Sequence, residues 1–440
     1  MRLRETSASR ALADITERFA AGFPATGPSL RTVGREAEFP LVRPDGRAGD
    51  VFQALPLLLE QGDCEPTYDL GRDGAEFLSG IEADGWSCAS EVGISTVEIS
   101  AGPKPTLPEL ARDMDRGLER LTEAVDLAGF LLLGFGIQPR TPAHPGLLTP
   151  KKRYAALLQA IGNQWLKFCV TAGDQLQVDV GQDDLVKVMN LMNAASGAII
   201  ALTANSPVYG GRPGKFASGR EGLTANMVGE PHRHGSPAGP YSDLEEYVRF
   251  LAGLQCLCLP DGEDGFRVIG VPFIEQLRRD PALQDPEAAF AAFLFHEHYI
   301  WPSARPRSRI GTVEIRPACQ QPPDSAWVPS ALGLGLIEAA DELESYLEDS
   351  LGKSYWTALR EHRKLAIRHG IVAPEPAPHF LDAMVDIAEV GLRHRGEGEE
   401  TFLDPVREHL ERRMGPAGEA EALFERSGSA ALVTSLSLGK

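Results

Sequence analysis

Apolar residues recur at helical spacing from Ser7 to Phe23, and the Gly/Pro-rich stretch from Gly22 to Ser29 then breaks that helix. Alternating or β-branched runs predict strands at Thr32–Val42, Ser95–Ser100, Phe130–Gly136, Gln175–Val180 and Ile310–Arg316. Between them lie amphipathic patterns that predict helices over Leu107–Ala128, Asp183–Ala204 and Ser242–Leu257. The strands do not alternate one for one with helices, so an α+β architecture is expected rather than a doubly wound parallel sheet. From Ser325 onward the pattern is almost wholly helical: Leu332–Leu351, Tyr355–Gly370, His379–Leu392 and Thr401–Phe424 form a helical C-terminal layer. Ser427–Lys440, small and polar at both ends, is expected to be a poorly ordered tail.

The predicted strands carry carboxylates in apolar surroundings. Residues two apart on a strand face the same way, so Glu36 and Glu38 of Gly34-Arg35-Glu36-Ala37-Glu38-Phe39 share one face. Glu98 stands among β-branched neighbours in Ser95–Ser100, with Glu91 just upstream, and Glu314 repeats the pattern in Gly311–Arg316. One such residue is ordinary, and a solvated strand face or edge accounts for it. Ionised groups in three separate apolar strands need compensation, because a buried carboxylate is costly unless paired or bound to a metal. Hard oxygen donors suit magnesium or manganese, and magnesium usually brings phosphates with it. Gln175, Gln177 and Asp179 share one face of a further strand, as they also would on a solvated edge.

The overall charge narrows the partners. Lys and Arg number 43 against 62 Asp and Glu, a formal net charge of -19, so nothing resembles the basic footprint of a nucleic-acid binder. No apolar run approaches the roughly 20 residues that span a bilayer, the longest candidate being the strand-sized Gly129–Gly136, and no h-region follows the N-terminal charges. The six cysteines show no CxxC pair or disulfide framework. A cytoplasmic protein without membrane or nucleic-acid partners is expected.

No Walker A loop, GxGxxG, HExxH or GxSxG motif occurs. His232-Arg233-His234 and His296-Glu297-His298 invite a zinc reading, but neither has a third ligand at a diagnostic spacing. Cys256 and Cys258 read as apolar core.

Taken in order, these segments resemble the glutamate-cysteine ligases of the plant type and of the actinobacterial ergothioneine pathway. The resemblance runs from about Val33 to about Leu351 and rests on GREAEF at 34–39, TVEISAGP at 96–103, LLGFGIQPR at 132–140 and PKKRY at 150–154. QLQVDV at 175–180, ALTANSPVYGG at 201–211, SGR at 218–220, HEHYIWPSARPR from 296 and GTVEIRP at 311–317 continue it. It implies a glutamine-synthetase-like bowl of curved, mainly antiparallel sheet with helices packed outside. It also implies ATP with Mg²⁺ or Mn²⁺, and γ-glutamyl transfer to cysteine through an acyl phosphate. By motif, Glu36, Glu38, Glu91, Glu98, Gln175 and Glu314 match the metal ligands. Arg220, Arg305 and Arg316 match catalytic arginines, and Arg153, Asn205, Cys319 and His296 fall at positions for substrate or ATP contact.

This chain departs from its relatives twice. Cys319 stands where they usually carry an acid, which removes a partner for an ammonium group if the turn at Pro317 brings it to the bowl's rim. Asp174 stands where they are apolar, adding a carboxylate near the metal strand. The same chemistry with a different amine acceptor is therefore an alternative, and a guanidino-kinase-like phosphotransferase or a non-catalytic relative is a more remote one. The expected division is an N-terminal helix and loop at 1–30, a catalytic domain at 31–395 and C-terminal helices and tail at 396–440, in a monomer or homodimer acting on amino acids and ATP.

Overall fold

The computed structural model describes residues 2–225, 229–262 and 265–439, with side chains from Ala8 onward. Among the described residues, ten strands form the main sheet: β1 (Val33–Val42), β2 (Cys64–Leu70), β3 (Glu76–Ala83), β4 (Trp86–Ser90), β5 (Thr96–Lys104), β6 (Leu131–Leu133), β7 (Gly173–Asp179), β8 (Ala304–Arg307), β9 (Thr312–Cys319) and β10 (Ser437–Leu438). Their order is β8-β9-β7-β1-β5-β4-β3-β2, with β6 paired to the end of β1 and β10 paired to β6. Every pairing in this sheet is antiparallel.

Strand alternation sorts the side chains. In β1, Val33, Ala37 and Phe39 are buried in the hydrophobic core, whereas Gly34, Glu36 and Glu38 belong to the opposite, inner face. Register extends this face sideways: Glu36 opposes Ser100 on one neighbour and Gln175 on the other, and Gln177 opposes Glu314. Irregularities at Val33/Arg35 in the β1–β5 pair and at Ile315/Ala318 in the β7–β9 pair shift the register where strands must bend.

Helices α1 (Arg2–Ala20), α2 (Leu107–Leu127), α3 (Leu185–Thr203), α4 (Val328–Glu338), α5 (Tyr355–His369), α6 (Phe380–Arg395) and α7 (Pro416–Leu436) pack outside. Helix α2 begins where sequence signals place it: the Thr106 side chain accepts from Glu109 N, with proline in the first turn. Helix α3 lies between the β8–β9 edge and α5. Contrary to the expectation that no apolar run is long enough to span a bilayer, it is long and apolar enough to cross a membrane, yet 83% of its most apolar stretch is buried inside the fold. One hydrophobic cluster runs from Ile15 of α1 through the sheet to Leu438 of β10.

Several expectations are corrected. The helix expected over Leu332–Leu351 is two, Val328–Glu338 and Ala340–Leu351, broken at Ala339 (φ -104°, ψ 38°). Burial of Leu336, Ile337, Leu343 and Leu347 preserves the periodicity across the break. Thr401–Phe424 divides into Glu399–Leu403, Asp404–Arg412 and α7, because Arg413 turns left-handed (φ 50°) and Pro416 starts a new helix. The expected tail is ordered over its described residues, 427–439: α7 continues, kinked at Gly428, to Leu436, and β10 adds to the sheet. Leu432, Val433 and Leu436 there pack with Val42, Leu133, Phe135 and Val208. Strands β2, β3, β4 and β8 were not expected, and Phe130–Gly136 yields only Leu131–Leu133.

Candidate active site

The inner face of the sheet floors a cavity of about 280 Å³, closed from above by Arg153, the 165–171 segment, Arg220, Glu221, Thr224, His234, Gly235 and residues 298–303. All six carboxylate and amide residues expected as metal ligands line it, and so do Arg153, Arg220, Arg305 and Arg316.

Three of those carboxylates converge. Glu38 and Glu98 are direct cross-strand neighbours, and Glu91 joins them at the end of β4, where Glu91 N bonds to Thr96 O. Each offers a carboxylate oxygen within 4.8 Å of the other two, the only such grouping of His, Cys, Asp and Glu among the described residues. Glu38 accepts from Gly173 N (2.6 Å) and Gln175 Nε2 (2.9 Å), and Glu98 accepts from Ser100 Oγ (3.0 Å). Burial, reinforced by the Glu91 charge, raises the Glu38 carboxyl to about 7. Burial and the charges of Glu91, Glu36 and Glu38 raise Glu98 well above the usual range. Crowded hard oxygens with too little positive charge around them fit Mg²⁺ or Mn²⁺.

The remaining three expected ligands stand outside this group. Glu36 accepts from Gln177 Nε2 (3.1 Å), and Gln175 reaches the group only through its bond to Glu38. Glu314 is enclosed by arginines: Arg305 binds it through two nitrogens (2.8 and 3.2 Å), Arg307 Nη1 lies 3.2 Å away, and Arg316 donates to both Glu314 and Gln175. The cavity is thus acidic along β1 and β5 and basic along β8 and β9. Burial and crowding by Arg305 and Arg220 push the Arg316 guanidinium well below its ordinary value, so this wall favours an anion.

Arg220 projects from a short helix, Gly219–Thr224, capped by Ser218. Its guanidinium lies on Gly173, where a Cβ would come within 2.5 Å of it, and its Nη1 donates to Glu221 (2.7 Å).

Three expected contacts are not in the cavity wall. His296 Nε2 donates to Leu251 O (2.8 Å), and the ring stacks on Phe273, buried between helices. Asn205 Nδ2 donates to Gly134 O (2.9 Å) and Gln320 O (2.8 Å), fastening chain segments together. Cys319 is buried with its Sγ 3.3 Å from Ser206 Oγ and 3.4 Å from Ser218 Oγ, beneath the segment that carries Arg220 and not at a rim. Asp174 also faces away, its carboxylate taken by Arg35 (2.9 and 2.5 Å) on the core side, where Arg35 lies over the Trp327 ring. Strand parity explains this, since Asp174 is one residue out of phase with Gln175.

Sequence reading missed Arg307, Glu221, His234 and His298, all in the wall. The two histidines come from the pairs weighed for zinc; burial, with nearby arginines, lowers His234 to about 4 and His298 well below its usual range, so both are neutral. An aromatic wall of Tyr154, Trp165, Phe168, Tyr299 and Trp301 was not foreseen either, because its members are scattered in sequence.

A Rubrobacter xylanophilus protein assigned as glutamate-cysteine ligase 2-3 is 28% identical over 346 residues, 78% of this chain and 76% of its own length. The glutamate-cysteine ligase EgtA of Mycobacterium tuberculosis is 27% identical over 296 residues, 64% of this chain and 66% of its own length. The crystal structure of a Francisella tularensis glutamate-cysteine ligase in complex with AMP shares the fold, with a TM-score of 0.56 at 12% identity over 94% of this chain and 88% of that one. The glutamate-cysteine ligase family 2 (GCS2) profile matches residues 32–432, and the chain therefore belongs to that family.

Proposed function

We propose that this chain is an ATP-dependent, ADP-forming carbon-nitrogen ligase that joins the γ-carboxyl of glutamate to the amine of cysteine. The observation that carries the reading is the two-signed cavity, with the Glu38, Glu91 and Glu98 oxygens on one side, Arg305, Arg307 and Arg316 on the other, and Arg220 over Gly173 beside Glu38. A second cavity of about 640 Å³ shares Glu36 with the first and is lined by Trp86, Ser87, Ser100 and Gln177. It offers a nucleotide room for its base and ribose, with the phosphates directed towards the carboxylate group.

A carboxylate is a poor electrophile; phosphorylation by ATP makes it an acyl phosphate, which an amine attacks to give the amide, ADP, phosphate and a proton. A Mg²⁺ or Mn²⁺ ion held by Glu38, Glu91 and Glu98 would neutralise phosphate charge and align the transferring group. The arginines bind the donor carboxylate and the charge that builds on the phosphoryl oxygens, where the guanidinium fork matches two oxygens at once. His234 and His298, being neutral, fill the basic wall without adding charge. No enzyme nucleophile is needed.

The aromatic wall supports a second reading, the same chemistry with a bulkier amine acceptor. Phosphate release from ATP and glutamate, measured with each standard amino acid in turn and followed by mass spectrometry of the product, tests both. Release requiring cysteine, with a γ-linked product, is expected. Release that peaks with another amine selects the second reading; a stable phosphorylated substrate, or none with any amine, refutes the ligase.

A further inference from the structure

We propose that Arg363, on helix α5 of the C-terminal layer, is a positioning residue that sets the catalytic Arg220 through Glu221. The proposal rests on the ligase reading only in taking Arg220 as catalytic.

Glu221 is 3% exposed, and each of its oxygens has one arginine: Oε1 accepts from Arg220 Nη1 (2.7 Å) and Oε2 from Arg363 Nη2. Burial alone would raise this carboxyl, but the charges of Arg363, Arg220 and Arg316 hold it below its ordinary value, so it is an anion between two cations. Both guanidinium groups are laid on glycines. Arg220 lies on Gly173, and Arg363 lies on Gly235, where a Cβ would come within 2.8 Å of Nη2. The backbone carries the same link, since Ala217 N and Ser218 N donate to Arg368 O (3.1 Å) and Ile367 O (3.0 Å) at the end of α5. Arg220 N in turn donates to Ser206 Oγ (3.1 Å).

Arg363 does not line the cavity. Its effect passes through Glu221, whose carboxylate, held from one side by Arg363, has a fixed position from which to hold Arg220 on the other. Without Arg363 the Glu221 side chain is free to turn, and Arg220 loses its fixed approach to Glu38, beside which it lies over Gly173.

The test compares wild type, Arg363→Met, Arg363→Lys and Glu221→Gln by steady-state phosphate release and by crystal structures. Arg363→Met is expected to lower kcat about 10- to 100-fold, the effect of a misplaced catalytic group, with KM for ATP within about twofold because Arg363 stands outside the cavity wall. Arg363→Lys should restore part of the loss, and the Arg363→Met crystal structure should show the Arg220 guanidinium off Gly173. A merely structural role would lower the unfolding temperature and leave kcat per folded molecule unchanged. Folded Arg363→Met with wild-type kcat, or with Arg220 still on Gly173, overturns the proposal. Should Arg363→Met not fold, Glu221→Gln is judged by the same two criteria. A wild-type protein that releases no phosphate with any amine refutes the ligase reading, while the crystal structures still decide whether Arg363 sets Arg220.

Discussion

Glu38 and Glu98 sit directly opposite one another on adjacent antiparallel strands, and their carboxylates share the inner face with Glu91. Like charges in that position destabilise a sheet pair. Neighbouring pairs offset this elsewhere: Ala37 opposes Ile99 on the core face, and both are fully buried. The sheet thus holds three carboxylates in a geometry that only protons or a cation relieve, which gives the site a pH signature.

The Glu38 carboxyl, raised from 4.5 to about 7, binds a proton in the folded protein that the unfolded chain has already released. Its stabilising contribution is complete below pH 4.5 and lost as pH rises through about 7. Protein treated with a chelator should therefore lose unfolding temperature between pH 6 and pH 8 by more than protein in millimolar Mn²⁺. Calorimetric scans at both pH values check this, and equal losses with and without the cation would contradict it.

Glu98 and Glu314 were expected to be equivalent ligands, but they differ in surroundings. Glu98→Gln should lower Mn²⁺ affinity by at least about tenfold, the loss typical of disturbing even an outer partner of a metal. Glu314→Gln should leave that affinity within about threefold and lower kcat, because Arg305, Arg307 and Arg316 lose their shared anion. Mn²⁺ titration by electron paramagnetic resonance beside steady-state kinetics separates the two.

The Arg35–Asp174 pair has side chains 3% and 0% exposed. Removing one member strands the other charge, so Asp174→Leu alone should cost about 3 to 5 kcal/mol. Arg35→Met with Asp174→Leu should recover most of that, since a buried pair replaced by apolar groups is often neutral. Urea unfolding of both variants measures it, and Mn²⁺ affinity should stay unchanged because the pair faces the core.

Cys319 has no place in the cavity wall, so Cys319→Ala should leave the ratios of kcat/KM among amine acceptors unchanged. Its contacts with Ser206 and Ser218 lie under the Arg220 segment, and a modest fall in kcat common to all acceptors is expected. An altered preference among acceptors would show that the thiol reaches substrate.

The sequence by itself determined the carboxylate strands, because a period of two puts Glu36 and Glu38 on one face whatever the rest of the chain does. It determined the long helix α2 as well, whose apolar periodicity and end signals are local, and it placed α3 by its long apolar stretch, although that helix is buried on nearly every side rather than amphipathic. Sequence could not separate Glu98 from Glu314, since both stand in the same Thr-Val-Glu-Ile setting and only strand order decides that one meets Glu38 and the other three arginines. His298 rather than His296 enters the cavity because Tyr299 ends the helix and turns the chain there, a tertiary event. Leu432, Val433 and Leu436 lie in a stretch too small and polar to predict, and their order comes from the apolar surface of Val42, Leu133 and Phe135. Pairing across long separations, as between Arg363 and Glu221 or Arg35 and Asp174, leaves no local periodicity, so only the folded chain places these groups together.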